Sequence, residues 1–348
     1  MNREKPHLLA LSFEAVEDLA SKLGWKRYRS EQVLAWVYKR YITDINAMTD
    51  LSKADRLRLS ETVTLSPLEI ASHQKSSDGT EKFLFELADA KQIETVLIRS
   101  EKKRLTLCIS SQAGCTLDCN FCLTAREGLK RNLRAHEIIN QFLTVQAALS
   151  EDEPITNVVL MGMGEPLANL KAVTEACTRM ISPKGLNLAS RRVTVSTAGL
   201  VPQIKALFEG PAPVNLSISL NATTDEVRSR IMPKVNRLYP LKELMAACRA
   251  LPLSPRRSIT FEYVMLSGVN DSLEDAARLV RLVKGMRCKI NLIPFNAYPG
   301  ALYRPTPEAE ILQFQDHLHR HRIRTTIRKS KGRDILAACG QLSSAFEK

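Results

Sequence analysis

Hydrophobic and polar positions follow a strand–helix alternation through most of the chain. From residue 105 onward, short apolar runs are separated by stretches in which apolar residues recur at helical spacing. The predicted strands are 105–109, 157–161, 192–196, 215–220, 259–266 and 289–293, and the predicted helices lie near 135–149, 169–181, 202–208, 223–230, 240–250 and 272–286. This alternation implies a parallel sheet in an α/β protein, either an open doubly wound sheet or an incomplete (β/α) barrel. In both cases the chemistry belongs at the carboxyl ends of the strands.

The pattern before residue 105 is different. Between residues 8 and 59 the apolar positions recur at helical spacing, and Lys and Arg are interleaved with Trp25, Tyr28 and Tyr38. This predicts a small basic helical domain, whose charged face either contacts RNA or is simply solvated. The pair Asp78-Gly79 predicts a hairpin within residues 75–87, followed by a strand at 93–99.

These patterns divide the chain into four parts. We predict a basic N-terminal helical domain at 1–75, a hairpin and strand connector at 76–104, a β/α core at 105–300, and a C-terminal helix and strand at 301–348.

Charge narrows the range of partners. The 348 residues include 50 Lys and Arg against 37 Asp and Glu, a formal net charge of +13. Such an excess is typical of proteins that bind a polyanion, with nucleic acid as the first candidate and a merely basic surface as the alternative. No apolar run approaches the ~18 residues that a membrane span needs, and residues 1–10 lack the apolar segment of a signal peptide. We therefore expect a cytoplasmic protein that does not enter the membrane.

Three of the eight cysteines are clustered. Cys115, Cys119 and Cys122 follow the first predicted core strand with the spacing C-x3-C-x2-C, and three thiolates bind three irons of a [4Fe–4S] cluster while the fourth iron stays open to a small molecule. A zinc site would need a fourth ligand at suitable spacing, and a two-thiol redox motif would leave Cys115 unexplained. We expect Cys177, Cys248 and Cys288 to be small buried hydrophobic residues.

This loop, with Phe121 before its last cysteine, resembles the radical S-adenosylmethionine superfamily. The resemblance implies a partial (β/α)6 TIM-like barrel that binds one [4Fe–4S] cluster and S-adenosylmethionine. Gly164 and Glu165 in MGMGEPL match the glycine-glutamate motif of the superfamily, and the carboxylate is suited to the ammonium group of the cofactor. Polar residues at later strand ends are further candidates for contacts to the cofactor: Ser196, Ser219, Leu220, Asn221 and Asn296.

Several segments, in order, resemble the dual-specificity adenosine-C2 RNA methyltransferases. They are DGTEKFLFEL (78–87), ETV (94–96), LCISSQAG (107–114), KRNL (130–133), MGMGEPL (161–167), EYVMLSGVN (262–270), INLIPFN (290–296) and AACGQL (337–342). The resemblance implies methylation of adenosine at C2 in 23S ribosomal RNA, at the peptidyl-transferase centre, and in tRNA, 3′ of the anticodon. Two molecules of S-adenosylmethionine are expected per turnover.

The same resemblance assigns roles to three further residues. Cys339 would carry the methyl group, Glu94 would accept a proton, and Cys108 would help release the product by pairing with Cys339 in a transient disulfide. The sequence departs from the family at Asn221, where many members have His. Without the resemblance, the pattern favours a strand-end core residue for Cys108, a small helical cysteine for Cys339 and a solvated charge for Glu94.

Three alternative functions remain open on the sequence alone. One alternative is an enzyme that methylates adenosine at C8 of 23S rRNA and confers antibiotic resistance; another is a non-enzymatic iron–sulfur or zinc RNA-binding protein. A third is a radical enzyme with a small-molecule or peptide substrate. We expect a flavodoxin-type or reductase electron donor, and a monomer. Basic residues near Cys339, among them Arg324, Arg328 and Lys331, are candidate phosphate contacts.

Overall fold

Strands and helices alternate through most of the chain, in agreement with the sequence pattern. The computed structural model describes residues 5–100 and 104–343. The strands are β1 (Glu69–Lys75), β2 (Glu81–Glu86), β3 (Gln92–Arg99), β4 (Leu105–Cys108), β5 (Gln112–Gly114), β6 (Leu129–Asn132), β7 (Ile155–Leu160), β8 (Val193–Thr197), β9 (Asn215–Ser219), β10 (Ile259–Met265), β11 (Cys288–Pro294) and β12 (Thr325–Ile327). The α-helices are α1 (Phe13–Lys22), α2 (Tyr28–Tyr38), α3 (Lys53–Thr62), α4 (Leu123–Arg126), α5 (Ala135–Ala147), α6 (Leu170–Ile181), α7 (Val201–Glu209), α8 (Asp225–Ile231), α9 (Pro233–Leu238), α10 (Leu241–Ala250), α11 (Leu273–Val283) and α12 (Glu308–Arg320).

One mixed sheet runs through the molecule in the order β1-β2-β3-β4-β7-β8-β9-β10-β11-β12. Strand β4 and strands β7 to β12 pair in parallel, whereas β1, β2 and β3 extend the sheet from β4 by antiparallel pairing. Strands β4 and β7 to β11 are the six predicted core strands. The predicted α/β fold is confirmed, as an open partial barrel whose parallel part carries an antiparallel extension.

Burial explains why these segments form strands and helices. Val158, Val195 and Ile218 on three neighbouring parallel strands are fully buried, as expected for a sheet covered by helices. The helices present one apolar face to this sheet; α6, for example, buries Val173 and Met180. Cys177 and Cys248 are buried as predicted, whereas Cys288 is half-buried.

The N-terminal helices share the hydrophobic core of the sheet. Val33 and Leu59 belong to the same buried cluster as the core strands. Leu68 N donates to Thr144 Oγ1 of α5 at 3.0 Å, and the Tyr41 ring packs against Phe142 with 6.1 Å between ring centroids. The N-terminal region therefore packs directly on α5 of the core.

Two features were absent from the sequence prediction. The pair β5–β6 forms a separate two-stranded sheet, and the helix predicted near 223–230 is followed at once by a second helix, α9. Strand β1 lies within residues 1–75, for which the sequence predicts helices, and pairs with β2 through the predicted turn, where Gly79 has φ +80°. Within the described residues, no helix combines the length and apolar composition needed to cross a lipid bilayer.

Candidate active site

A cavity opens at the carboxyl ends of the parallel strands, where the fold predicts the chemistry. It encloses about 930 Å³ of space that no atom fills, part of it open to solvent. Many residues singled out from the sequence line its wall: Cys115, Cys119, Cys122, Gly164, Glu165, Ser196, Ser219, Asn221, Asn296 and Cys339. The structure therefore brings together residues that are more than two hundred positions apart. Glu94, Cys108 and Leu220 are not part of this wall.

The cluster loop, residues 115–122, extends from the β5–β6 hairpin. Cys115 N donates to Gly128 O at 3.0 Å, and Cys122 N donates to Cys119 O at 3.0 Å. Gly114, with φ +74°, is required where the loop begins, because a Cβ there would lie 1.9 Å from Gly128 O. The hairpin that the sequence analysis missed is therefore the element that holds the loop.

The three thiols of the cluster loop are free and close enough to affect one another. Burial raises the pKa of Cys115 to about 12, with a further contribution from Cys122, and burial also raises the pKa of Cys119 and Cys122. Buried thiols of this kind become thiolates when a metal supplies positive charge. The donor set therefore fits an iron–sulfur cluster.

No three His, Cys, Asp or Glu side chains of the described chain are placed to share one metal ion. The ligands of a [4Fe–4S] cluster each bind a different iron, so their sulfur atoms need not converge on a single point.

Glu165 follows β7 and reaches into the cavity wall. Its Oε1 accepts from Leu167 N at 3.0 Å and its Oε2 accepts from Ala198 N at 2.8 Å. Burial raises the pKa of Glu165 to about 7, although these hydrogen bonds oppose the shift. A cationic ligand group beside Glu165 would favour the carboxylate, which fits the ammonium of S-adenosylmethionine.

Gly164 is needed for packing as well as for access. A Cβ at this position, where φ is +99°, would lie 2.5 Å from Gln112 Cβ and 2.8 Å from Gln112 N. Gln112 in turn uses its Oε1 to accept from Glu165 N at 2.9 Å and from Thr116 N at 3.2 Å. This glutamine, which the sequence analysis did not single out, connects the cluster loop to the carboxylate loop.

The strand-end residues have different environments. Ser196 and Ser219 line the cavity, and Leu220 is fully buried in the core with its N–H donated to Glu262 O at 3.0 Å. Asn296 Oδ1 is buried with no hydrogen-bond partner among the described residues, while its Nδ2 donates to Cys339 O at 3.3 Å. An unpartnered acceptor in a cavity wall is suited to a ligand hydroxyl or amine.

Asn221 has a structural contribution of its own. It adopts φ +56°, its Oδ1 accepts from Val264 N at 2.9 Å, and its Nδ2 contacts Met232 Sδ at 3.3 Å. The Asn221 side chain therefore fixes the carboxyl end of β10.

Cys339 lies in a C-terminal segment, residues 328–343, that closes one side of the cavity. Its thiol is free and half-buried. The next residue, Gly340, accepts from Leu123 N through its carbonyl at 2.8 Å, and Thr124 Oγ1 donates to Leu342 O at 2.6 Å. The segment therefore attaches directly to the helix that follows the last cluster cysteine.

Glu94 and Cys108 lie behind this wall. Glu94 is fully buried; Lys82 Nζ is 2.8 Å from its Oε1, and Ser343 N donates to its Oε2 at 2.6 Å. Burial, together with the neighbouring Cys339 thiol, raises the pKa of Cys108 to about 12. Cys108 and Cys339 are both free thiols, so the expected disulfide between them is not supported by the structure.

Two charged residues of the wall add to those singled out from the sequence. Glu262 on β10, which the sequence analysis did not single out, accepts from Ser217 Oγ at 2.7 Å and from Asn291 Nδ2 at 2.6 Å. Arg328, a predicted phosphate contact, lines the cavity with Nη1 3.5 Å from Met161 Sδ, and the neighbouring Cys339 raises its pKa. A single Glu or Arg in a strand carries no sequence signal that separates a cavity wall from a solvated face.

Family models and solved structures that are similar to this chain indicate a radical S-adenosylmethionine enzyme, as the residues of the cavity do. The family model described as "Radical SAM superfamily" matches residues 109–280, and that described as "Ribosomal RNA large subunit methyltransferase N-terminal domain" matches residues 7–65. A crystal structure of a radical SAM methyltransferase from Sphaerobacter thermophilus superimposes with a TM-score of 0.91 and 40% identity, covering 97% of this chain and 98% of that one.

Curated relatives match over nearly the full length. The protein named dual-specificity RNA methyltransferase RlmN from Geobacter sulfurreducens is 49% identical over 337 residues, covering 97% of this chain and 92% of its own. The protein of the same name from Geotalea uraniireducens is 47% identical over 345 residues, covering 99% and 98%. The chain therefore belongs to the dual-specificity RNA methyltransferase RlmN family, and it is an enzyme of the radical S-adenosylmethionine superfamily.

Proposed function

We propose that this protein methylates adenosine at C2 in 23S rRNA, at the peptidyl-transferase centre, and in tRNA, 3′ of the anticodon, with a methylated Cys339 as intermediate. The observation that carries the proposal is the position of Cys339, in the wall of the same cavity as the three cluster cysteines and Glu165. The relatives that match over almost the whole chain are named as dual-specificity RNA methyltransferases.

The superfamily implies one [4Fe–4S] cluster and S-adenosylmethionine. When bound, the cluster supplies the electron that cleaves the cofactor to a 5′-deoxyadenosyl radical. Cys115, Cys119 and Cys122 would hold the cluster, and Glu165 with Asn296 would orient the cofactor through its ammonium and polar groups.

Cys339 would work in two stages that consume two molecules of S-adenosylmethionine. Its sulfur would first displace S-adenosylhomocysteine from the methyl carbon of one molecule and form a methylthioether. Removal of a hydrogen atom from that methyl group by the radical from the second molecule would leave a methylene radical that adds to adenine C2. After loss of the C2 proton, attack of the Cys108 thiol on the Cys339 sulfur would break the bond between this sulfur and the methylene carbon, which takes up a proton to become the methyl group, with the remaining electron returned to the oxidised cluster. A carbon of this electron-poor ring does not react by polar attack on a sulfonium, which explains the need for a radical.

Glu94 is the proposed proton acceptor for the C2 hydrogen. In the structure its carboxylate is held by Lys82 and by Ser343 N, four residues after Cys339. Proton transfer to Glu94 therefore requires the target base to replace the Ser343 contact or to lie beside it.

The position of Cys339 in a cavity and the net charge of the protein support an RNA substrate with an unstacked target adenine. The target adenine must leave its stack to reach a cavity lined by Cys339, which favours loops over duplexes. The net charge of +13 predicts binding that weakens steeply with salt. We further propose a flavodoxin-type electron donor.

Nucleoside analysis tests the proposal. RNA from a deletion strain complemented with the wild type should contain 2-methyladenosine at both sites, and RNA from the strain complemented with Cys339→Ala should contain none. The purified variant should still cleave S-adenosylmethionine. Cys288→Ala, at the opposite end of β11 from the cavity, is the matched control and should leave methylation unchanged.

Two results would contradict the proposal. Retention of 2-methyladenosine with Cys339→Ala would exclude the carrier role. Appearance of 8-methyladenosine with the wild type would favour the C8 alternative instead.

A further inference from the structure

Arg228 on α8 is a buried cation beside the carboxyl ends of β8 and β9. Its side chain is fully buried, and no carboxylate forms an ion pair with it among the described residues. Burial lowers the pKa of Arg228 only to about 10, so the guanidinium stays charged at neutral pH. Burying a cation without a counter-ion is costly, which indicates that the arginine contributes something a neutral residue would not.

The guanidinium connects the ends of two cofactor-binding strands. Its Nη2 donates to Ala198 O at 2.5 Å, just after β8, and its Nε donates to Leu220 O at 3.3 Å, just after β9. Ala198 N donates to Glu165 Oε2 at 2.8 Å. Ala198 therefore links Arg228 to the carboxylate of Glu165, which faces the proposed cofactor site.

The segment that follows Arg228 holds the cluster loop. Asn120 N donates to Ile231 O at 3.0 Å, and Asn120 Nδ2 donates to Arg230 O at 2.7 Å. Lys234 N donates to Asp118 Oδ1 at 3.0 Å, and Lys234 Nζ donates to Thr116 O at 2.6 Å. The loop that carries the three cysteines is therefore anchored to α8 and α9 from outside its own hairpin.

Arg228 also fixes the position of this segment. Its Nη1 donates to Asn236 Oδ1 at 3.1 Å and to Tyr239 O at 3.3 Å, which ties α8 to α9. Its charge opposes the effect of burial on the Cys119 thiol. Arg228 is thus bonded to the strand ends on one side and, through residues 230–234, to the cluster loop on the other.

We propose that Arg228 is a positioning residue that sets the placement of the iron–sulfur cluster relative to the S-adenosylmethionine site and, through its buried charge, raises the reduction potential of the cluster. A nearby positive charge stabilises the reduced, more negative cluster, so removal of the charge shifts the potential to more negative values. Removal of the fork-shaped donor loosens Ala198 and, with it, Glu165.

Three variants of the full-length, anaerobically reconstituted protein separate charge from geometry. Arg228→Gln removes the charge, Arg228→Lys keeps the charge but not the planar donors, and Arg230→Gln is the matched control, an exposed arginine two residues along the same helix. The measurements are iron content, the midpoint potential from an EPR-monitored redox titration, and the Kd for S-adenosylmethionine.

Arg228→Gln should retain iron, shift the potential to more negative values and bind S-adenosylmethionine about tenfold more weakly, the scale of one hydrogen bond to a charged group. Arg228→Lys should keep the wild-type potential with a similar loss of affinity, and Arg230→Gln should change neither. A Gln variant with wild-type potential and wild-type affinity would overturn the proposal. None of these readouts involves RNA, so their outcome is independent of the proposed methylation.

A second variant keeps the test decisive if the Gln variant does not fold. The Arg228→Lys variant is then the test, and a wild-type affinity for S-adenosylmethionine in that variant would overturn the positioning role. Should neither fold, Lys234→Met removes a surface contact to the cluster loop, and it should release iron to a chelator severalfold faster than Arg230→Gln. Equal release rates would overturn the proposed connection.

Discussion

The two sides of the cavity are built in different ways. On the cofactor side, Gly164 and Glu165 follow the central parallel strand β7, which pairs with β8, and Ala198 N, just after β8, donates to the Glu165 carboxylate. On the other side, Cys339 lies in a segment with little regular structure, the short 3-10 helix Arg333–Ile335 being its only helix within the described chain. The cofactor side is therefore part of the sheet, whereas the cysteine side is attached to it.

The attachments of the cysteine segment come from distant parts of the chain. Asp334 accepts from Ser76 Oγ at 2.5 Å and from Ser77 N at 3.0 Å in the β1–β2 turn, and Gln341 Nε2 donates to Ala297 O at 2.7 Å. A few polar contacts of this kind open at a lower free energy than buried sheet. Cofactor binding and the placement of Cys339 should therefore be separable by mutation.

Gly164→Ala should have the largest effect, because it damages the cofactor side within the sheet. The added Cβ meets Gln112 and occupies a left-handed conformation, so we expect a loss of about 3 kcal/mol in the free energy of unfolding. Binding of S-adenosylmethionine should become undetectable in the range where the wild type saturates. Urea unfolding and equilibrium dialysis measure both effects.

Gly268→Ala is the control for the backbone conformation alone. Gly268 has φ +68°, and no atom lies within 4 Å of the added Cβ, so the expected loss is about 1 kcal/mol with normal cofactor binding. Equal losses in the two variants would show that the close approach to Gln112 is unimportant.

The pH dependence of cofactor affinity should follow Glu165. Because burial raises its pKa to about 7, the free protein holds this carboxyl protonated at lower pH, and a cationic ligand must displace the proton. The affinity for S-adenosylmethionine should therefore fall by up to about tenfold per pH unit below pH 7. The raised pKa also links protein stability to pH. Protonated Glu165 favours the folded state most at pH values below its ordinary pKa of 4.5, and this contribution to the free energy of unfolding is lost as the pH rises through 7.

Calorimetric titrations between pH 5.5 and 8 measure this dependence. Glu165→Gln should bind more weakly throughout and show a flat profile. A wild-type profile without slope would mean that Glu165 does not face the charge of the ligand.

Asp334→Ala should have the smallest effect and should act on the cysteine side alone. Loss of the contacts to Ser76 and Ser77 frees the base of the segment, so alkylation of Cys339 by iodoacetamide should become about fivefold faster. Cofactor affinity should not change. Peptide mass spectrometry measures the alkylation rate of Cys339. The control is Asp316→Ala, which removes an exposed carboxylate on α12 far from Cys339 in the sequence. An unchanged rate would indicate that the other attachments suffice.

Sequence reasoning found the cofactor side more readily than the cysteine side, for a physical reason. Parallel strands buried on both faces produce continuous apolar runs, so β7 to β11 and the residues at their ends were predictable. The position of Glu165 directly after such a strand is a weak signal by itself, and it was singled out because it also matches the glycine-glutamate motif of the superfamily. Cys339 has no such signal, and only the family resemblance singled it out.

Residues that act through long-range contacts escaped the sequence analysis. Arg228 belongs to the run of charges in DEVRSR, which is typical of a solvated helix face, yet its side chain is fully buried. Gln112 connects two loops that are about fifty residues apart, and the hairpin that carries it has only short strands. Their roles depend on tertiary neighbours that no local pattern encodes.

The attachment of the Cys339 segment to Leu123 and Thr124 has a consequence for the order of synthesis. The cluster loop, the strands of the main sheet and Glu165 all precede residue 328. While the chain is being made, the cofactor half of the cavity has emerged in full before the residue that completes it. A nascent chain or a fragment ending before Cys339 therefore contains the three cluster cysteines and Glu165, the ligands proposed for radical formation, but lacks the sulfur proposed to carry the methyl group.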